Sequence, residues 1–239
     1  MYQPRTYRQR VGHQDLVSFQ VRVQETDLQV AAVRKLPEET LRAVRAAREL
    51  LQGHIRQYPA FLSSLEPLQA PAECPELIRR MYVAAATAGV GPMAAVAGAV
   101  AEHVGDALLP LSPQVIVENG GDIFLQTLAE RTVAIHAGRS PLSGKLGLRV
   151  PADCRLGICT SSGTVGHSLS FGRADAALVV SDDAALADAV ATALGNRVSS
   201  PADVAGALEW VQTVPGVRHA LVIIGETLGA WGELELVRV

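Results

Sequence analysis

The sequence predicts an α+β fold, a mainly antiparallel sheet packed with helices. Apolar segments of period two stand near the start of the 239-residue chain, helical periodicity fills its middle, and short strands separated by Gly, Pro and Ser turns follow. Nearly half of the residues are hydrophobic (49%) and only 4% are aromatic, so the core must be built from Ala, Val, Leu and Gly. We read one domain over 1–239, with a hairpin and helices in 1–110 and a strand-rich part carrying the loop motifs in 111–239.

Val17, Phe19, Val21 and Val23 alternate with Ser18, Gln20 and Arg22, which is the pattern of a half-buried strand. Glu25-Thr26-Asp27 offers a turn, and Leu28, Val30 and Ala32 resume the alternation, so a hairpin is expected. Pro37-Glu38-Glu39 opens a helix, with acids at the positive end of its dipole, and Pro59 stops it. A proline-punctuated connector runs to Pro75. Two helices of small residues follow, joined at Gly89-Val90-Gly91-Pro92 and ended by Pro110. Strands are expected at Val115–Val117, Ile123–Leu125, Thr132–His136, Leu146–Val150, Leu156–Cys159 and Ala176–Val180. A helix spans about Ala184–Leu194, and strands close the chain at Ala220–Ile224 and Glu233–Val239.

Lys and Arg number 21 against 24 Asp and Glu, giving a net charge of −3, which argues against nucleic acid as the main partner. Cys74, Cys154 and Cys159 form no disulfide framework; the last two, five apart on a strand, point to opposite faces. Residues 81–101 carry no charge and reach the length of a bilayer span, about 20 residues. They hold no Leu, Ile or Phe, however, and Gly91-Pro92 interrupts them, so we read buried helices and no membrane partner. The N-terminus has no apolar signal core, and a cytoplasmic location is expected.

Three stretches carry the candidate chemistry. Glu118-Asn119-Gly120-Gly121-Asp122 reads first as a hairpin turn, since paired glycines accept positive φ, and also as a bend that lets a ligand reach the backbone. Cys159-Thr160-Ser161-Ser162-Gly163-Thr164-Val165-Gly166-His167-Ser168 concentrates hydroxyls, glycines and a histidine after an apolar strand. It reads either as a polar loop capping the sheet or as a set of N–H and O–H donors for an anion. A lesser alternative makes Cys159 or Ser162 a hydrolytic nucleophile with His167 as base. Asp188 and Thr192, four apart, share a helix face; their oxygens suit a hard cation, although spacing alone reads that face as solvated.

In this order the motifs resemble the ApbE family, the Mg²⁺-dependent transferases that move FMN from FAD onto a protein Thr or Ser and release AMP. The sequence is more closely similar to a group of uncharacterised bacterial and archaeal ApbE-like proteins. That similarity rests on Glu25-Thr26-Asp27-Leu28, on Gly91-Pro92-Met93-Ala94-Ala95-Val96-Ala97-Gly98, on residues 118–122 and on residues 159–168, and it spans almost the whole chain. The resemblance implies an ApbE-like fold and a metal site of Asp188, Thr192 and Ala95 holding Mg²⁺. It implies a flavin cleft (FAD or FMN) lined by Asn119, Gly120, Gly121, Asp122, Ser161, Ser162, Gly163 and His167, with Asp188 and His167 as catalytic candidates. The implied partners are a small phosphate-bearing ligand and an acceptor protein; a homo-oligomer is left open. Pro92 and Gly98 stand where the transferases carry charged groups that touch FAD, and Ser170-Phe171-Gly172 replaces an Asp-Pro…Gly stretch. These departures leave a non-catalytic binding or assembly protein on the same scaffold as the alternative.

Overall fold

The computed structural model describes residues 15–164 and 171–239. The chain opens with β1 (Val17–Val23), β2 (Thr26–Ala32), α1 (Pro37–Gln57), α2 (Ala60–Ser63) and α3 (Glu76–Ala88). A 3₁₀ turn (Pro92–Ala95) then leads into α4 (Val96–Leu108). The strand-rich part holds β3 (Val115–Asn119), β4 (Asp122–Thr127), β5 (Arg131–Ala134), β6 (Leu146–Val150), β7 (Cys154–Ser161) and β8 (Ala176–Ser181). After it come α5 (Ala184–Asn196), α6 (Val204–Gln212), β9 (Val217–Ile224), β10 (Thr227–Gly232) and β11 (Glu235–Arg238).

Eight strands form one sheet in the order β1-β2-β3-β4-β7-β8-β9-β10, and β11-β6-β5 form a second. Every pairing is antiparallel, as expected from the turns. Because side chains alternate across a strand, the large sheet feeds two cores. Leu28, Val117, Phe124, Val179 and Val222 pack against α1, α3, α4 and α5. Ile123, Leu125, Ile158, Val180 and Leu221 pack against Val133, Leu148 and Val150 of the small sheet. With helices on one side and strands on the other, β8 is buried along its whole length, which is why it reads as an unbroken apolar run. Cys154 lies with the small-sheet core and Cys159 with the helical one, so the two thiols do point to opposite faces.

The small-residue helices serve close approach. A Cβ on Gly98 of α4 would stand 2.1 Å from the Ala184 carbonyl oxygen of α5, so only glycine lets the two helices meet there. Two buried carboxylates then tie α4 and α5 in opposite senses. Glu102 accepts the Ala184 N–H at 2.9 Å, and Asp188 accepts the Gly98 N–H at 2.9 Å. Glu102 is compensated by Arg155 at 2.7 Å and Arg80 at 3.1 Å; removing either arginine would leave part of a buried charge unpaired. Asp183 caps α5 by accepting the Leu186 N–H at 2.9 Å, the role expected of an acid at that helix start.

Among the described residues no single helix is long and apolar enough to cross a membrane, and the apolar pair 76–88 and 92–108 bends by 107°. Three elements are absent from the sequence-based expectation, α2, α6 and β10, and the strand expected from Thr132 ends at Ala134.

Candidate functional site

At one end of the large sheet, the β3–β4 turn, the end of β7 and the start of β8 meet the N-terminal turn of α4 and the middle of α5. The β3–β4 turn is the two-residue hairpin loop expected: Asn119 pairs with Asp122, and Gly120 and Gly121 adopt φ of 73° and 108°. Both angles lie where a Cβ is strained, so the glycine pair is a backbone requirement. Asn119 and Asp122 share the sheet face of Phe124, toward the helices. The Asn119 amide donates to the Ala97 carbonyl at 3.1 Å, which fixes the turn to the start of α4.

Asp122 is buried and accepts the Thr160 N–H at 3.2 Å. Asp188, also buried, reaches across from α5. Burial pushes Asp122 well above the usual carboxylate range, the nearby Asp188 charge adds to the rise, and the Thr160 N–H opposes it. Asp188 is raised from 3.8 to about 7 by burial, partly offset by the Gly98 and Ala97 N–H groups. No Lys or Arg among the described residues sets either value. A buried charge ordinarily takes a counter-charge or a proton; here two carboxylates share a low-dielectric space with neutral donors, the main-chain amides and the Cys159 thiol beside Asp122.

The structure therefore brings together Asn119, Gly120, Gly121, Asp122 and Asp188. The solvated reading of the Asp188 face is overturned, because α5 is buried on nearly every side and Thr192, one turn on, is half-buried. Ser161 adjoins the same helix: a Cβ on Gly195 would lie 3.6 Å from the Ser161 Oγ. Ala95 is buried at the end of the 3₁₀ turn, two residues before the main chain that meets Asn119 and Asp188. His167 lies outside the described residues. Among the described residues no three His, Cys, Asp or Glu side chains converge as a metal cluster. An ion between Asp122 and Asp188 would take its further oxygens from Thr192, the main chain, water or a ligand.

The hydroxyl-rich turn differs from expectation in what it has to offer. The Gly163 N–H donates to the Ala174 carbonyl at 2.9 Å, and the Thr164 N–H donates to Ser162 Oγ at 3.1 Å. The Gly121 N–H is likewise held by Glu118 at 2.8 Å. These backbone donors are spent within the fold, and the Ser162 hydroxyl itself lies 3.3 Å from the Thr164 hydroxyl. Asp175, which sequence reasoning passed over, anchors the turn: it accepts the Thr164 hydroxyl at 3.0 Å and the Gly225 N–H at 2.8 Å. The Gly225 carbonyl in turn accepts the Ser140 hydroxyl at 2.6 Å, so three loops are linked through one carboxylate. A lone Asp before a strand gave no periodic signal by which to find it.

The Cys159 nucleophile reading fails. The thiol is fully buried, and burial, with the Asp122 and Asp188 charges behind it, holds its pKa well above the ordinary thiol value. A nucleophilic cysteine needs the opposite surroundings.

With this geometry in place, comparison with known proteins decides the family. The family model described as "AbpE bacteria" matches residues 8–214. The chain belongs to that family. A "UPF0280 protein" of Methanocella arvoryzae is 45% identical over 214 residues, covering 89% of this chain and 87% of its own. Another "UPF0280 protein", from Methanosarcina acetivorans, is 45% identical over 199 residues, covering 82% and 79%. Among solved structures, this ApbE-like chain is similar to the apo form of the Pseudomonas stutzeri flavinyl transferase ApbE. The TM-score is 0.62 and the identity 14%, with 90% of this chain and 94% of that chain covered. The flavin transferase ApbE from Vibrio cholerae gives a TM-score of 0.51 at 13% identity, covering 90% and 96%. At such identities the likeness establishes the ApbE-like α+β fold.

Proposed function

We propose that this ApbE-like protein binds a phosphate-bearing flavin nucleotide, FAD or FMN, together with a divalent cation, and transfers the flavin or nucleotidyl group to an acceptor protein in the cytoplasm. One observation carries the reading: Asp122 and Asp188 are buried side by side with raised pKa values and no cationic side chain among the described residues to compensate them. An all-oxygen donor set of this kind fits Mg²⁺, which keeps waters and substrate phosphates in its shell.

In this reading Asp188 and Thr192 hold the cation from α5, Asp122 faces it from β4, and the main chain near Ala95 closes the site. Bound there, Mg²⁺ would neutralise charge on a pyrophosphate as its phosphoanhydride breaks. The chain's own groups do the rest. Gly120 and Gly121 leave room for the ligand beside the backbone, Asn119 keeps that turn against α4, and Ser161 and Ser162 donate to the phosphate oxygens. His167 is the expected group to take the acceptor proton.

The direct test incubates the purified protein with FAD and Mg²⁺ and measures AMP, with calorimetry on the wild type and Asp188→Ala. AMP release, together with loss of Mg²⁺-dependent FAD binding in the variant, supports the reading. The Gly98 close approach and the internally satisfied backbone donors favour a second reading, a binding or assembly protein on the same scaffold. It predicts ligand binding that is indifferent to Mg²⁺ and yields no AMP.

A further inference from the structure

Phe171 is exposed at 63%, more than any other large hydrophobic side chain among the described residues, and it is the only aromatic in that exposed set. Four phenylalanines occur in the whole sequence, so an aromatic ring given to solvent stands out in this composition.

Its position is set by the candidate site. Asn196, the last residue of α5, accepts the Phe171 N–H through Oδ1 at 2.9 Å. Asp188, Thr192 and Asn196 are spaced i, i+4 and i+8, and so form one stripe along the helix. The neighbouring backbone is layered against the same helix end. A Cβ on Gly172 would lie 1.9 Å from the Gly195 carbonyl oxygen, and one on Gly163 would lie 2.2 Å from the Gly172 carbonyl oxygen. Gly172 is thus pressed between the hydroxyl turn and the last turn of α5. Phe171 leaves this layer at its rim, held in place through its main chain while its ring stays in water.

We infer that Phe171 is a stacking surface for the planar heteroaromatic ring of the ligand, whose phosphates lie deeper, toward Asp122 and Asp188. This rests on the cation-and-phosphate reading above and adds a second recognition element to it. Every heteroaromatic ring offers a π-face, and such stacking needs no hydrogen-bond code. A main chain fixed beforehand through Asn196 and Gly172 leaves only the side-chain torsions of Phe171 to be ordered when the ring stacks.

The test measures binding of two probes in the presence of Mg²⁺: FMN, which has ring and phosphate, and inorganic pyrophosphate, which has no ring. Phe171→Ala is expected to weaken FMN binding about tenfold, to leave pyrophosphate binding unchanged, and to leave the melting temperature unchanged because the side chain is exposed. Phe171→Trp is expected to restore FMN affinity and to quench flavin emission on binding. FMN affinity unchanged in Phe171→Ala, or equal losses for both probes, would overturn the inference while leaving the cation reading standing. Wild-type protein that binds pyrophosphate but not FMN would do the same. Wild-type protein that binds neither probe would overturn both.

Discussion

Replacing Asp188 with Asn tests the site through stability alone, before any substrate is known. Asp188 has a folded-state pKa of about 7 against an ordinary 3.8. The folded chain therefore holds a proton between these values that the unfolded chain has already released. Where the folded state binds more protons, stability falls as pH rises, so the metal-free protein is most stable near pH 4 as far as this group is concerned and loses stability up to about pH 8. At about 1.4 kcal/mol for each tenfold change in proton affinity, the loss is on the order of 4 kcal/mol. For a chain of this size that corresponds to roughly 10 °C in melting temperature. Asn keeps an oxygen for the Gly98 N–H and places an amide donor toward Asp122. Asp188→Asn should therefore melt higher than wild type at pH 8 in chelated buffer and show a flatter profile between pH 4 and 8. Adding Mg²⁺ at about one hundred times its dissociation constant should recover about 3 kcal/mol in the wild type and nothing in the variant. The assay is thermal unfolding followed across pH, with and without Mg²⁺. A variant less stable than wild type at pH 8 without metal, or one that responds equally to Mg²⁺, would refute the reasoning.

Three further outcomes follow from the packing. Gly98→Ala drives a methyl group into the Ala184 carbonyl and the Asp188 Cβ; it should cost about 1–3 kcal/mol or more in urea unfolding and weaken any Mg²⁺ response, since it shifts the helix that carries Asp188. His219 is buried with neither ring nitrogen hydrogen-bonded among the described residues, and burial lowers its pKa. The unfolded chain then binds a proton below about pH 6.5 that the folded chain refuses, so this group takes stability away on acidification, opposite in sign to Asp188, and His219→Leu should gain stability over wild type as pH falls through this range in pH-dependent melting. Cys159 should resist thiol reagents in the native protein while the half-buried Cys74 and Cys154 are modified, as followed by mass spectrometry; a native Cys159 adduct would contradict its burial.

The antiparallel architecture was legible because the strands other than β10 carry period-two alternation or a short apolar run. The helices were legible because Pro37, Pro59 and Pro110 mark or adjoin their ends. Of the elements that escaped, α2 is a single four-residue turn after Pro59, and two longer ones escaped for other physical reasons. β10 is Thr-Leu-Gly-Ala-Trp-Gly, and its glycines read as a turn; Gly229 is needed because a Cβ there would meet Val204 and Leu208 of α6. α6 has nine residues with Gly206 inside, too short and too interrupted for periodicity to declare it. Near the candidate site, sequence placed the Asn119–Asp122 turn and set Asp188 and Thr192 one turn apart on a helix. Spacing alone misjudged the burial of α5, because an Ala-rich helix shows little amphipathic contrast and leaves a lone Asp looking solvated; the family resemblance turned that face inward. Asp175 acts through contacts with Thr164 and Gly225 that tertiary packing brings together, which no local pattern announces.

The internal use of backbone donors decides how an anion can be held here. A phosphate is commonly bound by free N–H groups at a glycine loop, yet the N–H groups of Gly121, Gly163 and Thr164 already have partners within the fold. The carboxylates of Asp122 and Asp188, when ionised, would repel a phosphate outright. Two arrangements avoid that repulsion. Protonated carboxylates can donate to the anion at acid pH, or a divalent cation can sit between carboxylate and phosphate near neutrality. They predict opposite pH dependence: binding through the cation strengthens as pH rises through about 7, because Asp188 must lose its proton to ligate, whereas binding to protonated carboxylates weakens over the same interval. Pyrophosphate titrations on either side of pH 7, with and without Mg²⁺, separate the two, and a metal-free affinity that grows on acidification would mean that Asp122 and Asp188 act as hydrogen-bond donors instead of ligands.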